Sequence, residues 1–266
     1  MFTLSISPIA FHIGTLSVYW YGVIYATALL ASWIVATWCF RKLRHNDMKV
    51  PSPAEFDGFM FFGIISMLVG ARLGHVLFFE LDEYLKDPME IFMIRNGGLS
   101  FHGACIGIAS YAYFFVRKHK YSWKIMADVL CLAGSLGVGI GRVANFINQE
   151  LYGVMAGGSN AVIFKYVDNI PRHPTQLYES FFEGFLNFWI MFIVFRIRGA
   201  KSMGTGIFVA LFSIIYASSR FVIEFYKETE RYIYFDAIYI TTGQILSLAL
   251  LIFGVLVLYY QEKTTD

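Results

Sequence analysis

The sequence predicts an all-α, polytopic membrane protein of about seven transmembrane helices, with its N-terminus outside and its C-terminus cytoplasmic. Three observations carry this. Of 266 residues, 57% are hydrophobic and only 15% charged, whereas soluble domains are about a quarter charged. The apolar residues fall into runs that match the roughly 20 helical residues needed to cross a hydrocarbon core of about 30 Å. The basic residues gather in alternate connecting loops, which sets orientation. Mean hydropathy is +0.57, and a formal net charge of +2 points to no nucleic-acid partner.

The runs are 17–40, 56–79, 98–117, 124–145, 177–195, 205–224 and 235–259. They are too long and too continuously apolar for barrel strands, and lipid favours helices because their backbone bonds close internally. The loops near 41–49, 117–124 and 196–201, with Lys263, carry twice the basic residues of the loops near 86–95, 165–172 and 227–231. The first set is therefore cytoplasmic. The first run has no basic residue before it, Arg41 being the earliest, so it reads as a permanent span rather than a cleaved signal. Cys39, Cys105 and Cys131 all lie in apolar stretches without metal-site spacing, and are expected as buried apolar fillers. No repeat or second domain is evident. Residues 1–266 read as a single integral membrane domain, with a small irregular outer-surface arm at about 146–176.

Three arginines do not belong to the loops: Arg72, Arg142 and Arg220. An arginine at mid-bilayer costs about 2.5–3.5 kcal/mol on insertion scales, so such residues usually face a bundle interior or a wet cavity. At 1.5 Å per residue, Arg142, Arg220 and Arg72 lie about 27, 28 and 34 Å from the cytoplasmic loops, and His102 and Tyr21 about 22 and 30 Å. One arginine could snorkel to the interface. Snorkelling does not explain why Asn145, Asn148, Glu150, Glu179 and Glu224 gather at a similar depth; a cavity opening to the outer leaflet does. Guanidinium groups match phosphate through paired hydrogen bonds, and a phosphate at that depth belongs to a phospholipid headgroup.

The polarity is concentrated in four stretches. In GRVANFINQELYG, Gly141 to Gly153, helical spacing puts Arg142, Asn145, Gln149 and Tyr152 on one face, flanked by Asn148. A continuous helix would turn Glu150 away, so a break between Arg142 and Glu150 is expected. NGGLSFHGACIG, Asn96 to Gly107, combines small residues that permit close approach with His102, whose ordinary pKa suits proton transfer near neutrality. A Cys105–His102 nucleophile pair is a remote alternative. In RHPTQLYE, Arg172 to Glu179, Pro174 suits a helix start, with Thr175 and Glu179 as capping groups. YASSRFVIE places Tyr216, Arg220 and Glu224 at i, i+4 and i+8, where Arg220 and Glu224 can pair.

These residues resemble the prolipoprotein diacylglyceryl transferase family. GRVANFINQELYG is similar to the family's signature segment. YWYG (Tyr19–Gly22), GARLG (Gly70–Gly74), GGLSFHG (Gly97–Gly103), RHPTQLYE, the Tyr216-Arg220-Glu224 pattern and TTGQILS (Thr241–Ser247) recur in family order. The resemblance implies seven spans in the bacterial cytoplasmic (inner) membrane, with the active site towards the periplasm or outer surface. It implies transfer of the diacylglyceryl group of phosphatidylglycerol to the lipobox cysteine thiol of a prolipoprotein signal peptide. A thioether forms and glycerol phosphate leaves, and neither metal nor cofactor is implied. Arg142 and Arg220 match the phosphate-gripping pair. Asn145, Asn148, Glu150 and Gly153 fall in the segment that holds the headgroup, with Arg72 as a further substrate contact. Tyr21 and His102 stand near the reacting thiol, and Tyr216 and Glu224 orient Arg220; His102 as the general base is read from its ordinary pKa and not from the resemblance. The chain departs from the family pattern after EFYK, running ETE where an arginine and Pro-Asp are expected, which makes Lys227 an imperfect substitute. Its arm from about 154 to 171 is also short. A transporter or flippase for a phospholipid or organic anion could use the same arginines without chemistry. Such proteins often show repeated halves and a midplane site, and a lipid-binding scaffold would bind without turnover.

Overall fold

The computed structural model describes residues 2–78, 80–93, 98–228, 232–235 and 238–263. The chain folds as two compact units, Met1–Cys39 with Ala127–Asp266, and Phe40–Met126. The long helices are α1 (Trp20–His45), α2 (Pro53–Phe78), α4 (Phe101–His119), α5 (Trp123–Ile147), α8 (Ile207–Ile223) and α9 (Thr242–Lys263). A further continuous helix, Thr175–Arg198, comprises α6 (Thr175–Glu179), a π-helical stretch Ser180–Leu186, and α7 (Asn187–Arg198). Short α3 (Leu81–Lys86) follows α2. Among the described residues, six helices are long and apolar enough to cross a membrane. The expected run at 98–117 forms α4, a 19-residue helix, which is not one of those six.

The helical expectation misses three small sheets. Strands β2 (Ile9–Ile13) and β3 (Leu16–Tyr19) form an antiparallel hairpin turned at Gly14, whose φ is 60°. The run expected from residue 17 therefore begins as strand, and α1 starts at Trp20. Strands β6 (Tyr232–Phe235) and β7 (Ile238–Thr241) pair ahead of α9, so the last helix starts later than residue 235. Strands β1 (Phe2–Leu4), β4 (Val162–Phe164) and β5 (Pro171–Arg172) make the third sheet. Its buried Leu4, Val162 and Phe164 pack with Phe146 and Tyr152. Alternating β-branched and aromatic residues suit a half-buried strand, but inside or beside a long apolar run that alternation is masked. Of the three free cysteines, Cys39 is buried as expected, Cys131 is half-buried, and Cys105 is exposed.

In the 40–126 unit, α2 and α4 approach through small residues. A Cβ added at Gly70 would lie 2.5 Å from the Gly103 carbonyl oxygen, and one at Gly74 would lie 2.7 Å from the Gly103 α-carbon. Close backbone approach through residues spaced by four is how helices gain packing energy in lipid. Ser100 caps α4 by accepting from Gly103 N at 3.3 Å. At the start of α2, Ser52 and Glu55 form a reciprocal capping box: Ser52 N donates to Glu55 Oε2 at 2.8 Å, and Glu55 N to Ser52 Oγ at 3.3 Å.

In the other unit, buried Asp128 of α5 accepts from the backbone N–H groups of Gly204, Gly206 and Val209 at 2.8, 3.0 and 3.1 Å. It thus supplies an acceptor and a negative charge at the start of α8, where N–H groups lack helical partners. Further along α5, Gly139 meets Gly184 of the π-helical stretch: a Cβ on Gly184 would lie 2.1 Å from the Gly139 α-carbon, and one on Gly139 would lie 3.2 Å from Phe185. Ser180 Oγ donates to the Gly139 carbonyl at 2.7 Å. This contact fixes the height of Arg142, one turn beyond Gly139, against the acidic residues of the opposing helix.

Candidate functional site

Two carboxylates four residues apart organise the site. Glu179 ends α6 and Glu183 lies in the π-helical stretch; both are fully buried. Arg142 bridges them, with Nη1 3.2 Å from Glu179 Oε2 and Nη2 3.2 Å from Glu183 Oε2. Tyr216 interacts with the same guanidinium. Arg220, one turn along α8 from Tyr216, pairs with Glu179 Oε1 and reaches Glu183 Oε1 at 3.9 Å. Its Nη2 lies 3.0 Å from Glu224 Oε2. Lys227 completes the group, with Nζ 2.8 Å from Glu179 Oε1. Burial pulls the Lys227 ammonium below its ordinary range, against the attraction of Glu179. Glu224 also accepts from Thr241 Oγ1 at 3.1 Å, and Gly243 sits against its carboxylate where a Cβ would not fit.

Three cations and three carboxylates therefore balance. The arrangement has a direction. The arginine side chains keep 19% and 18% of their surface exposed, while Glu179 and Glu183 keep none. Two guanidinium groups at close quarters repel, and burial magnifies that repulsion. Carboxylates behind them make the pair tenable. Each guanidinium carries five N–H donors, more than these contacts use, so the exposed face can still accept an anion. π-Helical turns are rare and concentrate at functional sites; here the wide turn carries Glu183.

A second polar group adjoins the first along α5. The helix ends at Ile147, and Gln149 and Leu151 take left-handed φ values of 58° and 57°. This is the expected break, and it brings Glu150 back. Glu150 accepts from Asn145 Nδ2 at 2.6 Å and from Asn148 Nδ2 at 3.1 Å. The Tyr21 hydroxyl interacts with Asn145 and with Tyr25, whose ring centroid is 4.6 Å from its own. The single helical face expected for Arg142, Asn145, Gln149 and Tyr152 does not extend that far, because Gln149 and Tyr152 lie past the helix end. Gln149 instead takes the Tyr166 N–H at 2.9 Å, and Tyr152 packs into the small β-sheet core.

The remaining sequence-selected residues make contacts of their own. Arg72 is in the 40–126 unit, where Nε and Nη1 donate to the carbonyls of Ile91 and Gly98 at 2.9 and 3.0 Å. It also lies over the Tyr84 ring at 4.9 Å. These contacts tie the chain after α2 together. His102 belongs to α4, and its side chain is outside the described residues, as are Thr229 and Glu230 of the ETE departure. Gly153 packs backbone to backbone: its N–H donates to the His173 carbonyl at 2.9 Å, and a Cβ there would meet Tyr226 and His173. The capping roles expected of Thr175 and Glu179 are not seen. Thr175 Oγ1 donates to the Leu151 carbonyl at 3.0 Å, and Glu179 is the central counter-ion. The cluster also includes Glu183, which sequence reasoning passed over. Its signal was the four-residue spacing from Glu179.

The fold and the site define a multi-pass helical membrane enzyme whose charged centre is assembled from several helices and buried acids. The prolipoprotein diacylglyceryl transferase family model matches residues 8–260, and the chain belongs to that family. It is similar to the phosphatidylglycerol-prolipoprotein diacylglyceryl transferase of Rickettsia typhi, 39% identical over 251 residues, covering 94% of this chain and 95% of that one. The proteins of the same name from Ehrlichia ruminantium and Nitrosospira multiformis are 37% and 35% identical. They cover 96% and 97% of this chain, and 96% and 88% of their own lengths.

Proposed function

We propose that this chain transfers the diacylglyceryl group of phosphatidylglycerol to the thiol of the lipobox cysteine in a prolipoprotein signal peptide. The observation that carries this reading is the convergence of Arg142 and Arg220 on Glu179 and Glu183, with both guanidinium groups partly exposed. Family membership supplies the reaction class. In the reaction, the substrate sulfur attacks the glyceryl carbon that carries the phosphate ester. The S–C bond forms, the C–O bond breaks, and its electron pair stays on the leaving glycerol phosphate. The phosphate thus goes from one negative charge towards two. Fixed donors at developing charge lower the barrier without reorganising, and paired arginines match that oxygen geometry.

The other roles follow from position and family resemblance. Asn145, Asn148 and Glu150 hold the headgroup, Glu224 and Tyr216 orient the two arginines, and Tyr21 stands at the mouth near the thiol. His102 takes the thiol proton, and a thiol of pKa about 8.5 needs only modest help near neutral pH. The chain spans the bacterial cytoplasmic membrane seven times, α4 included. Its N-terminus and the arginine cluster lie on the outer side, with the 146–176 arm beside them. The test is direct. Membranes containing the protein are given phosphatidylglycerol and a lipobox peptide, and the peptide mass is measured. A diacylglyceryl adduct is the expected result. Lipid movement across proteoliposomes without adduct would reject the assignment.

A further inference from the structure

A groove on the 40–126 unit shares no residue with the arginine cluster. Its floor is made of the small residues that let α2 and α4 approach, Gly70, Gly74, Gly103 and Gly107, and its volume is about 570 Å³. A second concavity of about 720 Å³ adjoins it at the C-terminal end of α4 and is walled partly by Arg117, Lys118 and His119. Tyr111 and Phe114 line both, so the two concavities lie next to each other along the helix pair and together make one channel-like depression.

The channel is apolar along its length and basic at one end. From Gly103 to Phe114 is eleven residues, about 16 Å of helix, close to half of a hydrocarbon core of about 30 Å. One leaflet's acyl chain has that reach. At the basic end, Arg117 and Lys118 are exposed, and Arg117 lies 5.8 Å above the Tyr113 ring. The acid in the wall is already engaged: Glu55 accepts from Ser52 Oγ and from Tyr121 at 2.6 and 2.8 Å, and lies 3.4 Å from His119. Basic residues in a last helical turn offset the helix dipole, but that does not explain an acyl-length groove ending on them.

We propose that this channel holds a resident anionic phospholipid, its acyl chain on the glycine floor and its phosphate between Arg117 and Lys118. The site is built from residues other than those of the substrate site. It rests on the helices spanning a bilayer and not on the transfer chemistry.

The test uses the full-length protein, delipidated in detergent and titrated with dioleoyl phosphatidylserine under native mass spectrometry. Arg142→Ala serves as background, which weakens lipid capture at the arginine cluster. One retained phosphatidylserine is expected, with at least a fivefold preference over phosphatidylcholine. Arg117→Ala/Lys118→Ala should lower its affinity at least fivefold. Ser110→Trp, which fills the groove from an exposed position, should lower retention of both lipids. Thermal melting without lipid confirms that each variant is folded. Full retention by either variant, or equal retention of the two lipids by the Arg142→Ala protein, overturns the proposal. Failure of the wild-type protein to lipidate the peptide, with these results intact, would count against the transfer reading alone.

Discussion

Arg142 and Glu183 lie 3.2 Å apart although 41 residues separate them in the chain. The arginine is partly exposed and the glutamate is not. The acid therefore acts from behind, leaving the open side of the guanidinium for a ligand. Removing one partner of a buried pair costs about 3–5 kcal/mol, since the other charge is left uncompensated. Glu183→Gln keeps the shape and deletes the charge. Peptide lipidation should fall about a hundredfold or more, with thermal stability in detergent also reduced. Turnover within threefold of wild type would show that Glu183 does not set the arginine.

Arg142→Lys separates charge from geometry. Arg142 divides its two Nη groups between two carboxylates, a fork that a lysine ammonium cannot reproduce. Loss of one donor of this kind costs about a hundred- to a thousandfold in turnover. Arg142→Ala should abolish lipidation, and Arg142→Lys should stay within tenfold of that low level. Near-normal turnover by the lysine variant, read by peptide mass spectrometry, would reject the fork argument.

The contact between Gly139 and Gly184 is what lets Arg142 reach that acid. Gly184→Ala puts a methyl group against Gly139 backbone, which cannot swing aside as a side chain could. Overpacking of this kind costs about 1–3 kcal/mol. The variant should melt lower in detergent and lose activity together. Gly134 of α5, the helix that carries Gly139, is the control, since a Cβ there meets nothing within 4 Å. Gly134→Ala should be neutral or stabilising by up to about 1 kcal/mol through helix propensity. Equal melting shifts for the two variants would remove the packing explanation.

What the sequence disclosed follows from how each signal is encoded. Long apolar runs locate the helices because lipid admits few alternatives, and Tyr216, Arg220 and Glu224 were readable because their spacing lies within one helical stretch. Arg142 announced itself by its cost in a membrane. Glu179 was placed at a similar depth, but its pairing with Arg142 was not legible, because a long-range pair depends on two glycines meeting across different helices. The π-helical turn that carries Glu183 has no residue signature, and Glu179 passed for a capping group because it stands one turn inside a helix start. Lys227 looked like an imperfect substitute; in the structure it contacts Glu179 directly. Gly153 was expected at the headgroup site; what the structure adds is a demand for close backbone packing at that position.

The Asp168–Arg172 pair gives a pH dependence outside the spans. Arg172 Nη2 lies 2.7 Å from Asp168 Oδ2, and Nε donates to both carboxylate oxygens. The guanidinium holds the Asp168 carboxyl below its ordinary range. A group whose pKa is depressed on folding stabilises the fold above its unfolded value, about 3.9, and loses that contribution as pH falls through the lower folded value. Asp168 is partly exposed, so the effect should stay under about 1 kcal/mol. Melting temperature measured from pH 5 downward should decline less steeply in Asp168→Asn than in wild type. Identical slopes would mean that the pair is screened to nothing.

Glu150 provides the sharpest test of the second polar group. Both of its carboxylate oxygens accept side-chain amide donors, Oε1 from Asn145 and Oε2 from Asn148. Glu150→Gln keeps one acceptor and turns the other into a donor, so one asparagine must face an N–H group or rotate away. Left-handed backbone at Gln149 and Leu151 pins Glu150 from both sides, which limits relief by movement of the loop. The expected result is a large fall in turnover with little change in melting temperature, because the affected groups are side chains at a helix end. Asn148→Ala, which removes one donor and leaves the shorter Asn145 contact, should cost less. If Glu150→Gln and Asn148→Ala reduce lipidation equally, the carboxylate is not the centre of this group, and Asn148 acts through some other contact.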